Sequence, residues 1–280
     1  MTTLAALFTE YKKALADAIE GKSSLDIKNI HRYAEAFENY SANILGKNWG
    51  ADTTGFEVAI IRTVFSAIAP NIKPRVIIDI GANVGDYTNA LLETFDECEI
   101  HAFEPNIVNL DRLKERFSGN SSVSIVPYGA SDTTGDGILW SCEPGSALAS
   151  LAKRNLDHYG VPFNIEEHIK LVRFEDYWLT TLNSAPIDIA KIDVEGHELA
   201  VLKGFGKALK NTRVVQFEFS SGNIESRTFF QDFWYLLSAH GFNIFRITPL
   251  GLMKIDKYKY DLEFFTLANY IAINTSQTIG

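Results

Sequence analysis

The chain has 280 residues, of which 46% are hydrophobic, and its 35 acidic and 26 basic residues give a net charge of −9. This length and apolar content predict one α/β domain with a sizeable core and an additional segment. The negative charge argues against a protein that binds nucleic-acid backbones, because such proteins need a basic face.

The two cysteines, Cys98 and Cys142, are too few for a disulfide framework and fit a reducing compartment. We expect free thiols rather than metal ligands at both positions. The N-terminus lacks the basic segment and apolar core of a signal peptide, and no run of about 18 apolar residues predicts a membrane span. The sequence therefore predicts a cytoplasmic protein without a transmembrane helix.

The first 50 residues predict a helical extension. Apolar residues recur at helical spacing over residues 4–20 and again over residues 24–45, and a glycine follows each run. This extension, residues 1–50, could cover the edge of a sheet, cap a substrate mouth or form a homodimer contact, and the sequence does not choose among these. The main domain is expected at residues 51–280, where a third helix at 56–68 precedes the first strand.

A strand followed by a glycine turn is predicted at residues 76–86. Residues 76–80 form a short apolar, β-branched run of the kind found in buried parallel strands. Gly81 and Gly85 allow a tight turn and a close approach of the backbone to a ligand. Asn83 occupies the place of the middle glycine in a dinucleotide fingerprint, and asparagine tolerates left-handed dihedrals better than most residues. A helix at residues 87–95 should follow.

Carboxylates are predicted around this turn. Asp79 should lie under the turn and Asp86 at the helix start, where two negative charges would repel a pyrophosphate. They would suit a ligand with an ammonium and a sulfonium, such as S-adenosylmethionine (SAM). Glu104, at the end of the second strand, is placed to accept hydrogen bonds from both ribose hydroxyls. Alternatively, Asp86 is only a helix cap and Glu104 a solvated strand end.

The next segment predicts a helix at residues 106–117, a strand at 123–126 and a turn of small residues. An adenine ring could lie against this turn, with its amino group bound by Ser131 or Asp132; an ordinary turn is the alternative. The stretch 143–168 shows no period and predicts a lid or substrate-selecting loop, with a plain surface loop as the alternative.

The fourth strand of the sheet, residues 187–192, should lie beside the first. Ligands of open parallel sheets bind beyond the carboxyl ends of the strands, so Asp193, Glu195 and His197 should project toward the reacting methyl group. His197 is the first candidate for the base that accepts a hydroxyl proton, and Asp193 is the second. As alternatives, His197 only caps the following helix, and the two carboxylates form salt bridges with Lys191.

A metal site is a further alternative for this block. Asp193, Glu195, His197 and Glu218 could together hold Mg²⁺ or Ca²⁺, which prefer oxygen ligands. No spacing in the sequence compels such a site, and we predict none.

The remaining pattern completes the sheet. Further strands are predicted at 214–219, 242–247 and 264–274, accessory strands at 137–141 and 169–174, and helices at 175–182, 199–209 and 229–240. Together these elements predict a seven-stranded, mostly parallel sheet with helices on both faces and an antiparallel final strand.

Three blocks of this sequence resemble the FkbM family of SAM-dependent methyltransferases. They are DIGANVGDYT at residues 79–88, FEP at 103–105 and KIDVEGHE at 191–198. The resemblance covers about residues 55–274 and implies a Rossmann-like class I methyltransferase fold with SAM as the cofactor. The cofactor-binding residues that we predict are Asp79, Gly81, Asn83, Gly85, Glu104, Ser131, Asp132, Asp193 and Glu195.

The leading functional hypothesis is an O-methyltransferase that acts on a hydroxyl of a small molecule, sugar or glycan. An N-methyltransferase and a SAM-binding module without turnover are alternatives. A third is an NAD(P)-linked oxidoreductase on the same sheet; against it stand Asp86, Asn83 and the lack of a Tyr-x-x-x-Lys proton relay.

Overall fold

The computed structural model describes residues 4–20, 27–50 and 53–277. Within these ranges the chain forms a central sheet flanked by helices, a small second sheet and a leading helical pair. The helices are α1 (Leu4–Ile19), α2 (Ile27–Ile44), α3 (Thr54–Ile68), α4 (Asp86–Thr94), α5 (Ile107–Arg116), α6 (Phe174–Thr180), α7 (Glu198–Gly204), α8 (Gly222–Glu225) and α9 (Phe230–Ala239). The strands are β1 (Val76–Ile80), β2 (Glu99–Phe103), β3 (Val123–Val126), β4 (Gly129–Ser131), β5 (Gly135–Ser141), β6 (Ile165–Arg173), β7 (Ile187–Ile192), β8 (Thr212–Phe219), β9 (Phe242–Thr248), β10 (Gly251–Ile255) and β11 (Ala268–Asn274).

The central sheet has the strand order β10-β9-β11-β8-β7-β1-β2-β3. Strands β3, β2, β1, β7 and β8 pair in parallel, whereas β11 is antiparallel to both β8 and β9. All seven predicted strands are present, and the antiparallel final strand is confirmed. The sheet has one strand more than predicted, because β10 folds back on β9 as an edge hairpin whose short, mixed sequence gives little signal.

Helices cover both faces of this sheet, as predicted. The side chains of a strand alternate between faces. Ile77 therefore packs with α3 and α4, whereas its neighbour Ile78 packs with α6, α7 and α9. All six residues of β7 are buried, including the charged Asp188 and Lys191, as expected for a central strand covered on both faces. The predicted helix at 199–209 is shorter than expected, because a 3₁₀ turn over Gly206–Asn211 replaces its second half.

A second sheet of three strands lies in the segment between β3 and β7. Its order is β4-β6-β5, and β6 is antiparallel to β5. Residues 165–168, predicted as part of the loop 143–168, belong to β6 instead. The pairing with β5 decides this, because it supplies hydrogen-bond partners to a stretch whose charged sequence has no apolar period.

The N-terminal extension forms a helical pair with an aromatic contact. Phe8 and Tyr11 of α1 each pack edge-on against Phe37 of α2, with ring centroids 5.9 Å apart. The end of the pair is joined to the sheet, since Arg246 of β9 donates from Nη1 to the carbonyl oxygen of Leu45 at 3.1 Å. The homodimer contact through these helices stays a prediction.

None of the described helices is both long enough and apolar enough to cross a membrane.

Candidate active site

A cavity opens at the carboxyl ends of β1, β2, β7 and β8. Ligands of open α/β sheets bind at this edge, where the strand order changes direction. On one side the cavity is lined by the glycine turn, residues 81–84, and by Glu104. Polar side chains line its other side, among them Glu57, Lys191, Asp193, Glu195 and Glu218.

The glycine turn has the backbone geometry that the sequence predicts. Asn83 is left-handed with φ of +50°, and Gly81 has φ of +85°. A Cβ at Gly81 would lie 1.8 Å from the carbonyl oxygen of Asp193, so only glycine fits this contact. The amide of Asp193 in turn donates to the carbonyl of Ile80 at 3.0 Å. The turns after β1 and β7 are thereby held against each other.

Glu104 fastens the glycine turn to the end of β2. Its Oε2 accepts from the amide of Asn83 at 2.9 Å, and its Oε1 accepts from the amide of Asn106 at 2.8 Å. The residue is only 6% exposed, which excludes the solvated strand end, and burial raises its pKa to about 7. A carboxylate oxygen can accept two hydrogen bonds, and each oxygen of Glu104 accepts one from a backbone amide. Each therefore has one further lone pair for a ligand in the cavity.

The sequence predicts that Asp79 and Asp86 both present a negative charge to the ligand, and their surroundings in the structure differ from this prediction. Asp79 lies under the turn and is fully buried, where it accepts from Thr88 Oγ1 at 2.6 Å. Asp86 begins α4 and lines the cavity, but its Oδ1 lies 2.6 Å from Nη1 of Arg116 on α5. The charge that would repel a pyrophosphate is therefore offset at Asp86 by an arginine 30 residues away.

Ser131 and Asp132 lie behind the cavity wall rather than in it. Among the described residues of this segment, Gly129 and Ala130 line the cavity. The hydroxyl of Ser131 lies 2.9 Å from Nε2 of His197 and 3.3 Å from Oδ1 of Asp132. A direct contact of Ser131 or Asp132 with an adenine amino group stays a prediction.

His197 lines the cavity at the start of α7. His197 occupies the N-cap position of α7 and its carbonyl accepts from the amide of Val201 at 3.1 Å, but its side chain makes no capping hydrogen bond and is left for another role. Burial lowers its pKa, and the charge of Asp132 opposes this effect. The neutral form of the imidazole is therefore favoured at neutral pH.

The carboxylates after β7 each have a basic partner. Asp193 Oδ2 lies 3.2 Å from Nζ of Lys191, which is the salt bridge that the alternative interpretation gave for this residue. Glu195 pairs instead with Arg154 of the insertion after β5 (residues 142–164), with 2.8 Å between Oε2 and Nη1. Glu195 also has φ of +53°, so its side chain leaves a left-handed turn. Burial and the nearby Asp193 raise its pKa to about 8 in spite of Arg154.

Asp193, Glu195 and Glu218 form the acidic cluster of the cavity. One oxygen of each carboxylate lies within 4.8 Å of the others. His197, which the sequence analysis considered as a fourth metal ligand, is turned toward Ser131. Burial raises the pKa of Glu218 well above its usual value, and the neighbouring carboxylates add to the shift. The expectation of no metal stays a prediction.

A buried polar network on α3 was missed by the sequence analysis. Glu57 lines the cavity and accepts from Gln216 of β8 and Asn269 of β11, at 2.5 and 3.0 Å. Gln216 also accepts from the hydroxyl of Tyr87 at 2.6 Å. The position of Glu57 at helical spacing from Ile61 and Phe65, on the apolar face of α3, is the one signal that could have pointed to this site.

Comparison with known proteins identifies the family. The model of the methyltransferase FkbM domain matches residues 79–244. The chain belongs to the FkbM family of SAM-dependent methyltransferases. This confirms the resemblance, and the strand order of the central sheet agrees with the class I methyltransferase fold.

One curated relative of this FkbM chain is the hexuronic acid methyltransferase AglP of Haloferax volcanii. The two are 33% identical over 150 residues, which are 52% of this chain and 56% of that protein. The match thus spans little more than half of the relative's length.

Solved structures were also compared with this FkbM domain. One is an O-methyltransferase from Bacillus cereus in complex with S-adenosylhomocysteine (SAH), 14% identical, with a TM-score of 0.44 over 86% of this chain and 88% of that one. Another is the precorrin-6Y C5,15-methyltransferase of Geobacter metallireducens, 11% identical, with a TM-score of 0.41 over 76% of this chain and 87% of that one.

Proposed function

We propose that this chain transfers the methyl group of SAM to a hydroxyl of a sugar or glycan. The observation that carries the proposal is the cavity itself, with the glycine turn and Glu104 on one side and the acidic cluster on the other. The name of the Haloferax volcanii relative, a hexuronic acid methyltransferase, supports a sugar as the acceptor.

The residues present fit an adenosyl ligand. Glu104 has acceptor capacity left for two ribose hydroxyls, and Gly129 and Ala130 leave a flat wall of small residues for an adenine ring. The proposed cofactor residues are those predicted from the sequence. Asp79, Ser131 and Asp132 are outside the cavity lining, so Asp79 would act from beneath the turn and the other two from behind Gly129 and Ala130. When bound, SAM supplies a methyl group already activated by the sulfonium.

The residues after β7 would act on the acceptor. His197 is the proposed proton acceptor, because its neutral imidazole lines the cavity and Ser131 fixes its orientation through Nε2. In the transfer the hydroxyl proton passes to the base, the oxygen forms a bond to the methyl carbon, and the carbon–sulfur bond breaks. A positioned base contributes about 10²–10⁴-fold to such a step.

Asp193 is the second candidate for the base. Its Oδ2 lies 3.2 Å from Nζ of Lys191, and this ion pair holds the carboxylate in a fixed position. Orientation of the methyl donor or of the acceptor is therefore the role proposed for Asp193. Alignment of the reacting atoms supplies roughly 7–11 kcal/mol of a reaction barrier in favourable cases.

The insertion after β5 is the proposed determinant of acceptor choice. Ser146, Ala147, Ala149 and Leu151 from this segment line the cavity. Such segments vary without disturbing the sheet, and they commonly carry specificity.

Two measurements test the proposal. Calorimetry with SAM and SAH should show saturable binding of both, and no binding of either at millimolar concentration would refute the cofactor assignment. Incubation with a panel of sugars and glycans should give a product heavier by one CH₂, with the new methyl group on oxygen. Methylation of nitrogen would favour the N-methyltransferase, and tight SAM binding without any product would favour a binding module.

Three further expectations are kept with this proposal. The negative net charge leads us to expect no nucleic-acid partner. We also expect a homodimer contact through α1 and α2. The two free cysteines lead us to expect a cytoplasmic location. Size-exclusion chromatography with light scattering tests the dimer.

A further inference from the structure

Glu57 is a buried carboxylate that faces the cavity and has no assigned role in the reaction. It lies in the first turn of α3 and is only 5% exposed. Buried carboxylates are normally paired with a basic group, because the cost of removing a charge from water is high. The contacts of Glu57 therefore decide whether it is a structural residue or a binding residue.

Three neutral groups hold this carboxylate. Its Oε1 accepts from Thr53 Oγ1 at 2.5 Å and from Asn269 Nδ2 at 3.0 Å, and its Oε2 accepts from Gln216 Nε2 at 2.5 Å. Among the residues that the structure describes, no basic side chain lies within 4.0 Å of it. The network thus fixes the orientation of the carboxylate. Lys191 acts on Glu57 electrostatically, but its Nζ lies within ion-pairing distance of Asp79 and Asp193 instead.

The other carboxylates on this side of the cavity are mostly neutralised. Asp193 pairs with Lys191, and Glu195 pairs with Arg154. Glu218 also lacks an ion-pair partner among the described residues. It lies at the carboxyl end of β8, where Asp193 and Glu195 are its neighbours in the acidic cluster. On this side of the cavity, among the described residues, Glu57 therefore combines an orientation fixed by three side-chain hydrogen bonds with the lack of an ion-pair partner.

Hydrogen bonds connect Glu57 to the glycine turn. Gln216 joins it to Tyr87, whose hydroxyl lies 2.6 Å from Gln216 Oε1, and Tyr87 follows Gly85 by two residues. This connection is on the β7 and β8 side of the turn, whereas Glu104 is on the β2 side. A ligand whose ribose binds Glu104 would extend its opposite end across the turn toward Glu57.

We propose that Glu57 binds the α-ammonium of the methionine moiety of SAM. This inference rests on the proposed function and names one contact within it. The ammonium supplies the positive charge that the network lacks, and the neutral donors keep the carboxylate aimed at it. Charge-assisted hydrogen bonds of this kind are stronger than neutral ones.

Binding of two ligands to the wild-type chain and to a variant tests the contact between Glu57 and the ammonium group. Binding of SAH and of its deaminated analogue, in which hydrogen replaces the α-amino group, is measured by calorimetry on the full chain and on Glu57→Gln. The wild-type chain should prefer SAH by roughly 10- to 100-fold, as expected for a hydrogen bond to a charged group. In Glu57→Gln the affinity for SAH should fall by about that factor, and the affinity for the analogue should change by less than about 3-fold.

Two controls separate binding from folding. Glu175→Gln changes a glutamate of similar burial outside the cavity lining and should leave the preference for SAH intact. Glu57→Asp keeps the charge but withdraws it by one methylene, so it should lose most of the preference. This variant also serves if Glu57→Gln does not fold.

The outcomes are distinct. Equal weakening of both ligands in Glu57→Gln, or a full preference for SAH in Glu57→Asp, would overturn the ammonium contact. Equal affinity of the wild-type chain for both ligands would overturn it as well. Failure of the wild-type chain to bind SAH at all would instead overturn the proposed function, and this inference with it.

Discussion

Arg154 and Glu195 form a buried ion pair, with 2.8 Å between Nη1 and Oε2, that joins the insertion after β5 to the turn after β7. Their side chains are 6% and 20% exposed. A second bond from Arg154 Nη2 reaches Ser221 Oγ at 3.0 Å, and Ser150 Oγ donates to the carbonyl of Glu195 at 2.7 Å. The insertion is therefore anchored at the acidic end of the cavity.

Removing one member of this pair should be costly. Arg154→Met leaves the largely buried Glu195 without its cation, and we expect a loss of about 3 kcal/mol in the free energy of unfolding. The double variant Arg154→Met/Glu195→Gln should recover part of that loss, because no unpaired charge remains. Urea denaturation of both single variants and the double variant gives the coupling energy. Strict additivity would mean that the pair contributes nothing to stability.

Gly81 should tolerate no side chain. Gly81→Ala places a Cβ 1.8 Å from the carbonyl oxygen of Asp193, so the turns after β1 and β7 must separate. We expect roughly 3 kcal/mol or more of destabilisation and loss of SAH binding. The control is Gly119→Ala, where φ is also positive but nothing lies within 4 Å, and it should cost only about 1 kcal/mol. Similar losses in the two variants would contradict the close-contact argument.

Glu104 should contribute to binding of the adenosyl moiety. In Glu104→Gln one oxygen acceptor becomes an amide donor, which cannot accept from both a backbone amide and a ribose hydroxyl. We expect the affinity for SAH to fall roughly 10- to 100-fold by calorimetry. Glu115→Gln, at an exposed position of α5, should bind SAH as the wild-type chain does. An unchanged affinity in Glu104→Gln would remove Glu104 from the cofactor site.

His197 should affect turnover more than binding. For His197→Ala we expect kcat to fall by about 10²–10⁴-fold with little change in KM, because a general base acts mainly in the transition state. Ser131→Ala keeps the imidazole and removes the partner of Nε2, so kcat should fall much less than in His197→Ala. An unchanged kcat in His197→Ala would argue against this base and would favour a nitrogen acceptor, which needs less help with deprotonation.

Stability should depend on pH through buried carboxylates of the site. Burial raises the pKa of Glu104 and of Glu198 to about 7 and that of Glu195 to about 8, from an ordinary value of 4.5. Between these values the folded chain binds more protons than the unfolded chain, so the free energy of unfolding should decrease as pH rises from about 4.5 to about 8.

Glu198→Gln tests this pH dependence outside the cavity lining. Glu198 is fully buried, and one of its oxygens has no hydrogen-bond partner. The variant should reduce the slope by up to about 1.4 kcal/mol per pH unit, measured by urea denaturation across this range. Glu93→Gln, an exposed change on α4, should leave the slope as it is. A stability that rises toward pH 8 would contradict the prediction.

The parts of the site that the sequence predicted are those with local causes. The period of residues 76–80 and the spacing of Gly81, Asn83 and Gly85 follow from strand burial and turn sterics, and both are found. Glu104 could be placed because it directly follows a strand next to the turn. The role of Glu57 could not be predicted, because its partner Gln216 is 159 residues away in the sequence and becomes a neighbour only after β8 joins the sheet.

The sequence by itself determined the sheet, the glycine turn and the family, since these depend on periodicity and short-range sterics. Tertiary structure alone decided which charges are neutralised: Asp86 by Arg116, Glu195 by Arg154, and Glu57 by no basic residue within ion-pairing distance among those described. The physical reason is that an ion pair depends on distances of a few ångströms between distant segments. Those distances are fixed only when strands pair and helices pack.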